Sequence, residues 1–593
     1  MMSEFSFLPM FPTEVRRKGW SEIDILIVSG DPYVDHPAYG AAVIGRVLQA
    51  QGYKVGIIAQ PDWKTTKDFT RLGRPRLCAC VTAGNVDSMI ANYTANKRHR
   101  SCWRGEKGFQ GARPDRATIV YVNQLRAAFK QLPIIIGGVE ASLRRLAHYD
   151  YWDDAVRRSL LLDAKADILV YGMGERQIVD IAHRLRQGET ISALRSIPGT
   201  VVRANKEDVP SNALWLPSFE EIGQDPKIFN RAFRLAYEQM NPFAARPIVQ
   251  THGGQCVLQL PPALPLTTQE LDASYALPYQ RKPHPFYDAF GGVVGFETVR
   301  WSIIAVRGCP GECSFCGLTM HQGRIVQSRS EESILAEARA LARDPDFKGT
   351  ITDIGGPTAN LYGAQCQKKG AHGPCADKQC LMPQKCSALD IPYSRTIALY
   401  EAIRRIPRVK HVFVSSGLRY DLLLEPEAKE YLRQLCAYHI SGQMKVAPEH
   451  TEDGVLAVMN KPSYKKYEEF VQEFEKVNSR LKKRSYLVNY FISAHPGSCL
   501  ENALSCATKL LSRRIRPEQI QDFLPLPMTV SGCIYHTGYH PMTDKHVFTP
   551  KSHEERALQR ALLQSQNVSN RLLIKKALKM LRREDLSKRF GVR

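Results

Sequence analysis

The amino-acid sequence predicts an α/β protein: an N-terminal doubly wound parallel sheet, then a full or partial (β/α)6 barrel, then a C-terminal tail of basic helices. Three observations lead there. Short apolar runs feed helix-like segments through glycine turns in the first third of the chain. Six further strands alternating with helices follow from about residue 297, and the last residues mix leucines with lysines and arginines.

In the first series, "IDILIVSG" (23–30) reads as a strand, "AAVIGRVLQAQG" as a helix stopped at Gly52, and "YKVGIIA" as the next strand, a βαβ unit. "RLCACVTAG" (76–84), "LPIIIGGVEASLRRLAHY" (132–149) and "ADILVYGMGERQIVDIAHRLRQG" (166–188) repeat the theme. Residues 1–204 are therefore expected to form a Rossmann-like domain, with Asp31, Asp35, His36, Gly137, Gly138, Gly172 and Gly174 gathered beyond the carboxyl ends of its strands. "GMGERQ" lacks the last glycine of a dinucleotide fingerprint, so tight turns and helix starts account for these glycines equally well.

Recurrent prolines break residues 205–296 into short pieces, which reads as a connection wrapping a surface, with "RKPHPFYD" placed over a site mouth. From 297 to 530 the strands are expected at "VRWSIIAVRG", "GTITDIGG", "KHVFVSSG", "GQMKVAPEH", "SYLVNYFISA" and "IQDFLPLP". Six parallel strands alternating with helices suit a full or partial barrel whose loops converge at one end. Residues 531–593 form an extension, in which Leu572, Leu573, Leu578 and Leu581 are expected to dock on the body as an apolar stripe.

Bulk properties narrow the class. A chain of 593 residues, 44% hydrophobic and 24% charged, has a sizeable core and is not a disordered polymer. The formal net charge of +22 attracts polyanions without choosing among them. No run approaches the roughly 18–20 apolar residues a membrane span needs, and Glu4 interrupts the start, so the expected location is the cytoplasm. Fifteen cysteines are too sparse for a disulfide scaffold, and seven of them crowd between Cys309 and Cys386, which points to metal or redox chemistry.

"RGCPGECSFCGLTMHQGR" (307–324) sets Cys309, Cys313 and Cys316 on one loop after the first barrel strand. Soft thiolates suit iron–sulfur clusters and zinc. In a cluster of four irons, three cysteines leave one iron open to another ligand. The alternatives are a zinc site completed by His321 and three buried free thiols.

CxxxCxxC with Phe315 before the last cysteine resembles the radical S-adenosylmethionine (SAM) superfamily. Together with "DIGGPTANLYG", "QMKVAPEH", "NYFISAHPG" and "VQTHGG", it resembles the YgiQ family of radical SAM iron–sulfur proteins. The resemblance implies that Cys309, Cys313 and Cys316 hold a [4Fe-4S] cluster and that S-adenosyl-L-methionine chelates the open iron. Reductive cleavage then yields a 5'-deoxyadenosyl radical that abstracts hydrogen from a substrate the sequence does not specify. It also implies cofactor contacts from Phe315, Gly355 and Gly356, with Arg419, Lys445, Glu449 and Ser493 at strand ends facing cofactor or substrate, and His495 and Gly497 beside Ser493. Where the superfamily often has an acidic residue after its glycines, Pro357 and Thr358 stand here. A cellular one-electron reductant is an implied partner.

Three more features invite function. "CQKKGAHGPCADKQCLMPQKC" sets Cys366, Cys375, Cys380 and Cys386 in a loop-like insert (366–386) suited to a second iron–sulfur cluster or zinc, with His372 as a substitute ligand. "KRHRSCWRGEKGFQGARPDR" (97–116) interleaves Lys97, Arg98, Arg100, Arg104, Lys107, Arg113 and Arg116 with Trp103 and Phe109, a pattern for an RNA contact or a solvated lid. The N-terminal series resembles cobalamin-binding domains, but "DPYVDHPAYG" departs from the DxHxxG of histidine-ligated cobalt, leaving a degenerate pocket or a structural platform. An RNA-binding or RNA-modifying radical SAM protein and a zinc-stabilised structural or interaction protein are the alternatives to this reading.

Overall fold

In a computed structural model, residues 7–100, 113–368, 373–375, 378–517 and 519–592 are described. The chain forms two compact units: Met1–Arg300 with Met320–Gly323, and Trp301–Thr319 with Arg324–Arg593.

The first unit is built on a nine-stranded sheet. Its strands are β1 (Ile25–Ser29), β2 (Val55–Ala59), β3 (Cys78–Thr82), β4 (Ile134–Ile136), β5 (Ile168–Val170), β6 (Thr200–Ala204), β7 (Leu214–Trp215), β8 (Ile248–His252) and β9 (Gln255–Gln259). Strands β2, β1, β3, β4 and β5 are parallel neighbours in that order. All residues of β1, β2, β4 and β5 are buried, as expected of strands covered on both faces. Helices α1 (Gly40–Ala50) and α3 (Glu175–Arg186), separated in sequence by α2 (Ala117–Ala128), bury Ala42, Leu48, Ile178 and Ile181 in one core with Ile25, Ile27, Val55 and Ile57.

The proline-rich stretch 205–296 does more than connect. It supplies β7, β8 and β9: β7 lies parallel to β8, β8 antiparallel to β9, and β9 antiparallel to β6, which is itself antiparallel to β5. Its prolines flank the strands and leave the ladders intact, which is where proline is tolerated. "RKPHPFYD" lies on the N-terminal loop: Lys282–Pro283 pairs with Val34–Asp35, and Tyr287 Oη accepts from the Tyr33 amide at 3.0 Å.

The second unit carries the six-strand series as a partial barrel. Strand β10 (Ser302–Ile304) lies parallel to β12 (Asp353–Gly355), and β11 (Thr350–Ile351) lies parallel to β13 (His411–Val412). Leu418 bridges in parallel to Val446 of β14 (Gln443–Glu449), followed by β15 (Tyr486–Ser493) and β16 (Gln519–Asp522). Intervening helices are α4 (Glu331–Arg343), α5 (Tyr393–Arg404), α6 (Tyr464–Arg480) and α7 (Leu500–Ser512).

The tail packs on this unit. Helices α8 (His553–Leu563) and α9 (Arg571–Met580) join α7 through Leu504, Leu510, Leu558, Leu562, Ile574 and Leu578. The stripe differs from the expected one: Ile574, Ala577 and Leu578 are buried, whereas Leu572 is 82% exposed. The i, i+3, i+4 spacing puts the first three on one face and Leu572 off it. Arg560 of α8 pairs with Asp522 of β16 at 2.5 Å, tying the tail to the last barrel strand. Among the described residues no helix is long and apolar enough to cross a membrane.

Leu578→Ala should destabilise the protein by about 2–5 kcal/mol and Leu572→Ala by no more than about 0.5 kcal/mol, read from denaturant unfolding. Equal effects at the two sites would contradict this docking of α9.

Candidate functional site

The cysteine loop leaves β10 through Val306–Arg307, which pairs antiparallel with Gln327–Ser328. Gly308 follows with φ +79, and a side chain there would run into the Ile325 carbonyl oxygen, so the turn requires glycine. The loop is then held from two sides. The Ser314 amide donates to the Met459 carbonyl (3.0 Å), the Ser531 amide donates to the Ser314 carbonyl (2.8 Å), and Asn460 Nδ2 donates to the Glu312 carbonyl (2.9 Å). Three cysteines within eight positions share one loop in any fold, but these bonds give this loop a single shape.

Burial pushes the Cys313 thiol up and the Cys316 thiol up to about 12, with Cys313 adding to the rise at Cys316. Lys461 and Arg419 act against that rise at Cys313. Cys309 Sγ lies 3.5 Å from Thr358 Oγ1. Arg419 is buried; burial opposes its charge, yet Asp421 and the Cys313 and Cys309 thiols raise its pKa. It forks onto Asp421 at 2.7 and 3.2 Å. Asn360 Oδ1 accepts from the Arg419 amide and Asn360 Nδ2 donates to its carbonyl, both at 3.0 Å. Glu449 ends β14 in the left-handed region (φ +68), buried, with Lys461 Nζ 3.9 Å from its carboxylate. Burial raises the Glu449 pKa and Lys461 opposes the rise.

Among the described residues the thiols are neighbours without being already drawn together as a metal-ligand set. Their chemistry nevertheless fits an iron–sulfur cluster. Half-buried soft donors must give up protons to bind iron, and two cations stand beside them to offset the charge that results. His321 is engaged elsewhere: its Nδ1 lies 2.9 Å from Ser142 Oγ, within the N-terminal unit.

The other expected residues are distributed as follows. The Phe315 ring meets the His495 ring edge-on at 6.0 Å, and burial holds His495 down to about 3, with its Nε2 2.7 Å from Ser531 Oγ. Gly355 and Gly356 end β12 where a side chain would strike Ser416 and the Val306 carbonyl, so close backbone approach already accounts for both glycines. Lys445 is half-buried on β14 and its carbonyl accepts from the Leu418 amide at 3.1 Å. Ser493 is buried, and its hydroxyl donates to Asp522 at 2.6 Å, an engagement within the sheet. Gly497 has φ +91 and donates to the Phe548 carbonyl at 2.7 Å. Asn360, Lys461 and Ser531 were not singled out from sequence. Only "PTAN", beside the glycine motif, offered a signal for one of them.

In the insert, Gln365–Cys366 pairs antiparallel with Leu389–Asp390, and Cys375 and Cys380 lie on the loop between, with Cys386 just before the returning strand. His372 lies outside the described residues. The N-terminal loop is closed by its own side chains. Asp35 is ion-paired with Arg46 and Asp31 with Arg113, while His36 Nδ1 accepts from the Ala38 amide at 3.1 Å. In the basic segment, Lys97 donates to the Trp152 carbonyl (3.2 Å), Arg100 to the Tyr93 carbonyl (3.0 Å), and Arg116 pairs with Asp153 (2.7 Å). Trp103, Arg104, Lys107 and Phe109 lie outside the described residues.

Comparison with known proteins gives the class. The Radical SAM N-terminal family matches residues 7–302, the Radical SAM superfamily matches 303–499, and a domain of unknown function (DUF3362) matches 518–589. This is the domain architecture of a radical SAM enzyme, a class that works with a [4Fe-4S] cluster and S-adenosylmethionine. A UPF0313 protein of Methanocella arvoryzae is 50% identical over 578 residues, 97% of this chain and 96% of that one. Another, from Clostridium perfringens, is 46% identical over 587 residues, 99% of this chain and 89% of its own. The chain belongs to the UPF0313 family of radical SAM proteins. Among solved structures, the radical S-adenosylmethionine methyltransferase TsrM from Kitasatospora setae aligns with a TM-score of 0.48 and 15% identity, over 85% of this chain and 74% of that one.

Asn360→Ala strands the Arg419 amide and carbonyl in a buried setting and is expected to cost about 1–3 kcal/mol, measured by denaturant unfolding. Stability unchanged within about 0.5 kcal/mol would remove Asn360 as the anchor of Arg419.

Proposed function

We propose that this UPF0313 protein is an enzyme of the YgiQ type in which Cys309, Cys313 and Cys316 hold the [4Fe-4S] cluster and leave one iron for S-adenosyl-L-methionine. The observation that carries the reading is the set of three thiols on one loop at the end of the first barrel strand, faced by Arg419 and Lys461. When bound, the reduced cluster and S-adenosylmethionine supply a 5'-deoxyadenosyl radical that removes hydrogen from a substrate.

The chain's own residues prepare that chemistry. Arg419, fixed by Asp421 and Asn360, brings positive charge to the sulfur loop in a medium too dry for water to do so. Phe315, edge-on against the neutral His495 ring, supplies apolar surroundings beside the loop. Gly355 and Gly356 let the end of β12 close against Ser416 and the Val306 carbonyl beside the cysteine loop, where the resemblance places the methionyl amine. Lys445 and Glu449 on β14 are the polar groups for ribose or methionyl contacts, and Ser493 sets the end of β15 through Asp522. A one-electron reductant is the required partner, and Cys366, Cys375, Cys380 and Cys386 form a second metal site.

Under anaerobic conditions with reductant, the wild-type protein should convert S-adenosylmethionine to 5'-deoxyadenosine and methionine, and Cys313→Ala should reduce this to background. Product formation that survives Cys313→Ala at the wild-type rate would overturn the assignment of the loop.

A further inference from the structure

We propose that the cysteine-rich insert holds a second iron–sulfur cluster, ligated by Cys366, Cys375, Cys380 and Cys386 and positioned against the radical SAM loop by the Arg324–Glu312 ion pair. The choice of iron rests on the function proposed above for that loop; the presence of a metal site does not.

The backbone carries the four cysteines on one insert, although among the described residues no three of them are already drawn together as a metal-ligand set. Cys366 stands opposite Leu389 in the antiparallel pair that closes the insert. The Leu389 amide donates to the Cys386 carbonyl at 2.9 Å, and the Cys386 amide donates to the Cys380 carbonyl at 2.8 Å, so one short turn carries two cysteines beside the strand carrying a third. Lys368, two residues after Cys366, reaches Cys375 Sγ at 3.9 Å, which brings in the fourth. Cys380 lies within electrostatic reach of both Cys386 and Cys366. Four thiols on one insert, with a cation directed at one of them, have the donor chemistry of a metal centre.

The second feature is its neighbour. Arg324 Nη2 pairs with Glu312 at 2.8 Å and donates to the Lys378 carbonyl of the insert at 3.4 Å. Glu312 stands between Cys309 and Cys313, buried and with φ +46. One guanidinium thus spans the insert and the loop. A zinc ion that merely braced the insert would need no such neighbour, and only Cys375 and Cys380 have the short spacing common in zinc knuckles. A redox-active cluster is the occupant for which adjacency matters.

The test separates the two sites in the full-length chain. After anaerobic reconstitution with iron and sulfide, Cys309→Ala/Cys313→Ala/Cys316→Ala protein should retain about four irons and four sulfides per chain, and adding Cys375→Ser/Cys380→Ser should remove them. In parallel, wild type should bind about eight irons and the Cys375→Ser/Cys380→Ser variant about four, so a misfolded triple variant leaves the count readable. About four irons in wild type, or one zinc and no iron in the triple variant, overturns the second cluster. Iron unchanged between wild type and the triple variant would instead strike the reading of the first loop.

Discussion

Three half-buried thiols that must lose their protons to bind iron need positive charge fixed beside them, and Arg419 meets that requirement here. Its guanidinium is itself buried, and stays charged because Asp421 grips it at two points and the sulfur loop draws on it from the other side. Its backbone is held at both polar atoms by Asn360, four residues after Gly356. The strand that ends in glycine, the asparagine beyond it and the arginine after β13 therefore act as one device. Lys461 adds a second cation, from the segment whose Met459 and Asn460 also bond the loop backbone.

The rest of the second unit serves to hold that arrangement. Ser531, ahead of β-strand contacts in the tail region, donates its amide to the loop and its hydroxyl meets His495, so the segment after β16 closes the far side of the cysteine loop. Helix α8 reaches β16 through Arg560 and Asp522, and Asp522 in turn takes the hydroxyl of Ser493. The C-terminal helices are thus continuous with the site by way of two strands. Their basic surface accounts for part of the net charge, and their apolar face is occupied by packing.

Much of the fold was legible in the sequence. Buried parallel strands are near-continuous apolar runs, and "DILIVS", "VGIIA" and "ITDIGG" say so without a partner. The three thiols were legible for a different reason: their spacing confines them to one loop whatever surrounds it. Strands β7, β8 and β9 were missed because prolines at their borders mask short runs such as "IVQTH" and "QCVLQ". Lys461 and Asn360 were missed because their roles depend on contacts across 148 and 59 positions of chain, as the Asn460–Glu312 and Asn360–Arg419 bonds illustrate, and no local pattern encodes such contacts. Leu572 was misplaced because leucine alone was counted, whereas Ile574 and Ala577 define the buried face.

The central claim is that the three-cysteine loop leaves one iron for S-adenosylmethionine. Electron–nuclear double resonance on the reconstituted, reduced protein with S-adenosylmethionine labelled at the methionyl amine and carboxylate tests it most directly. The expected result is a shifted cluster signal with hyperfine coupling from both labels, lost in Cys313→Ala. A cluster signal unchanged by saturating S-adenosylmethionine, with neither coupling present, would contradict it.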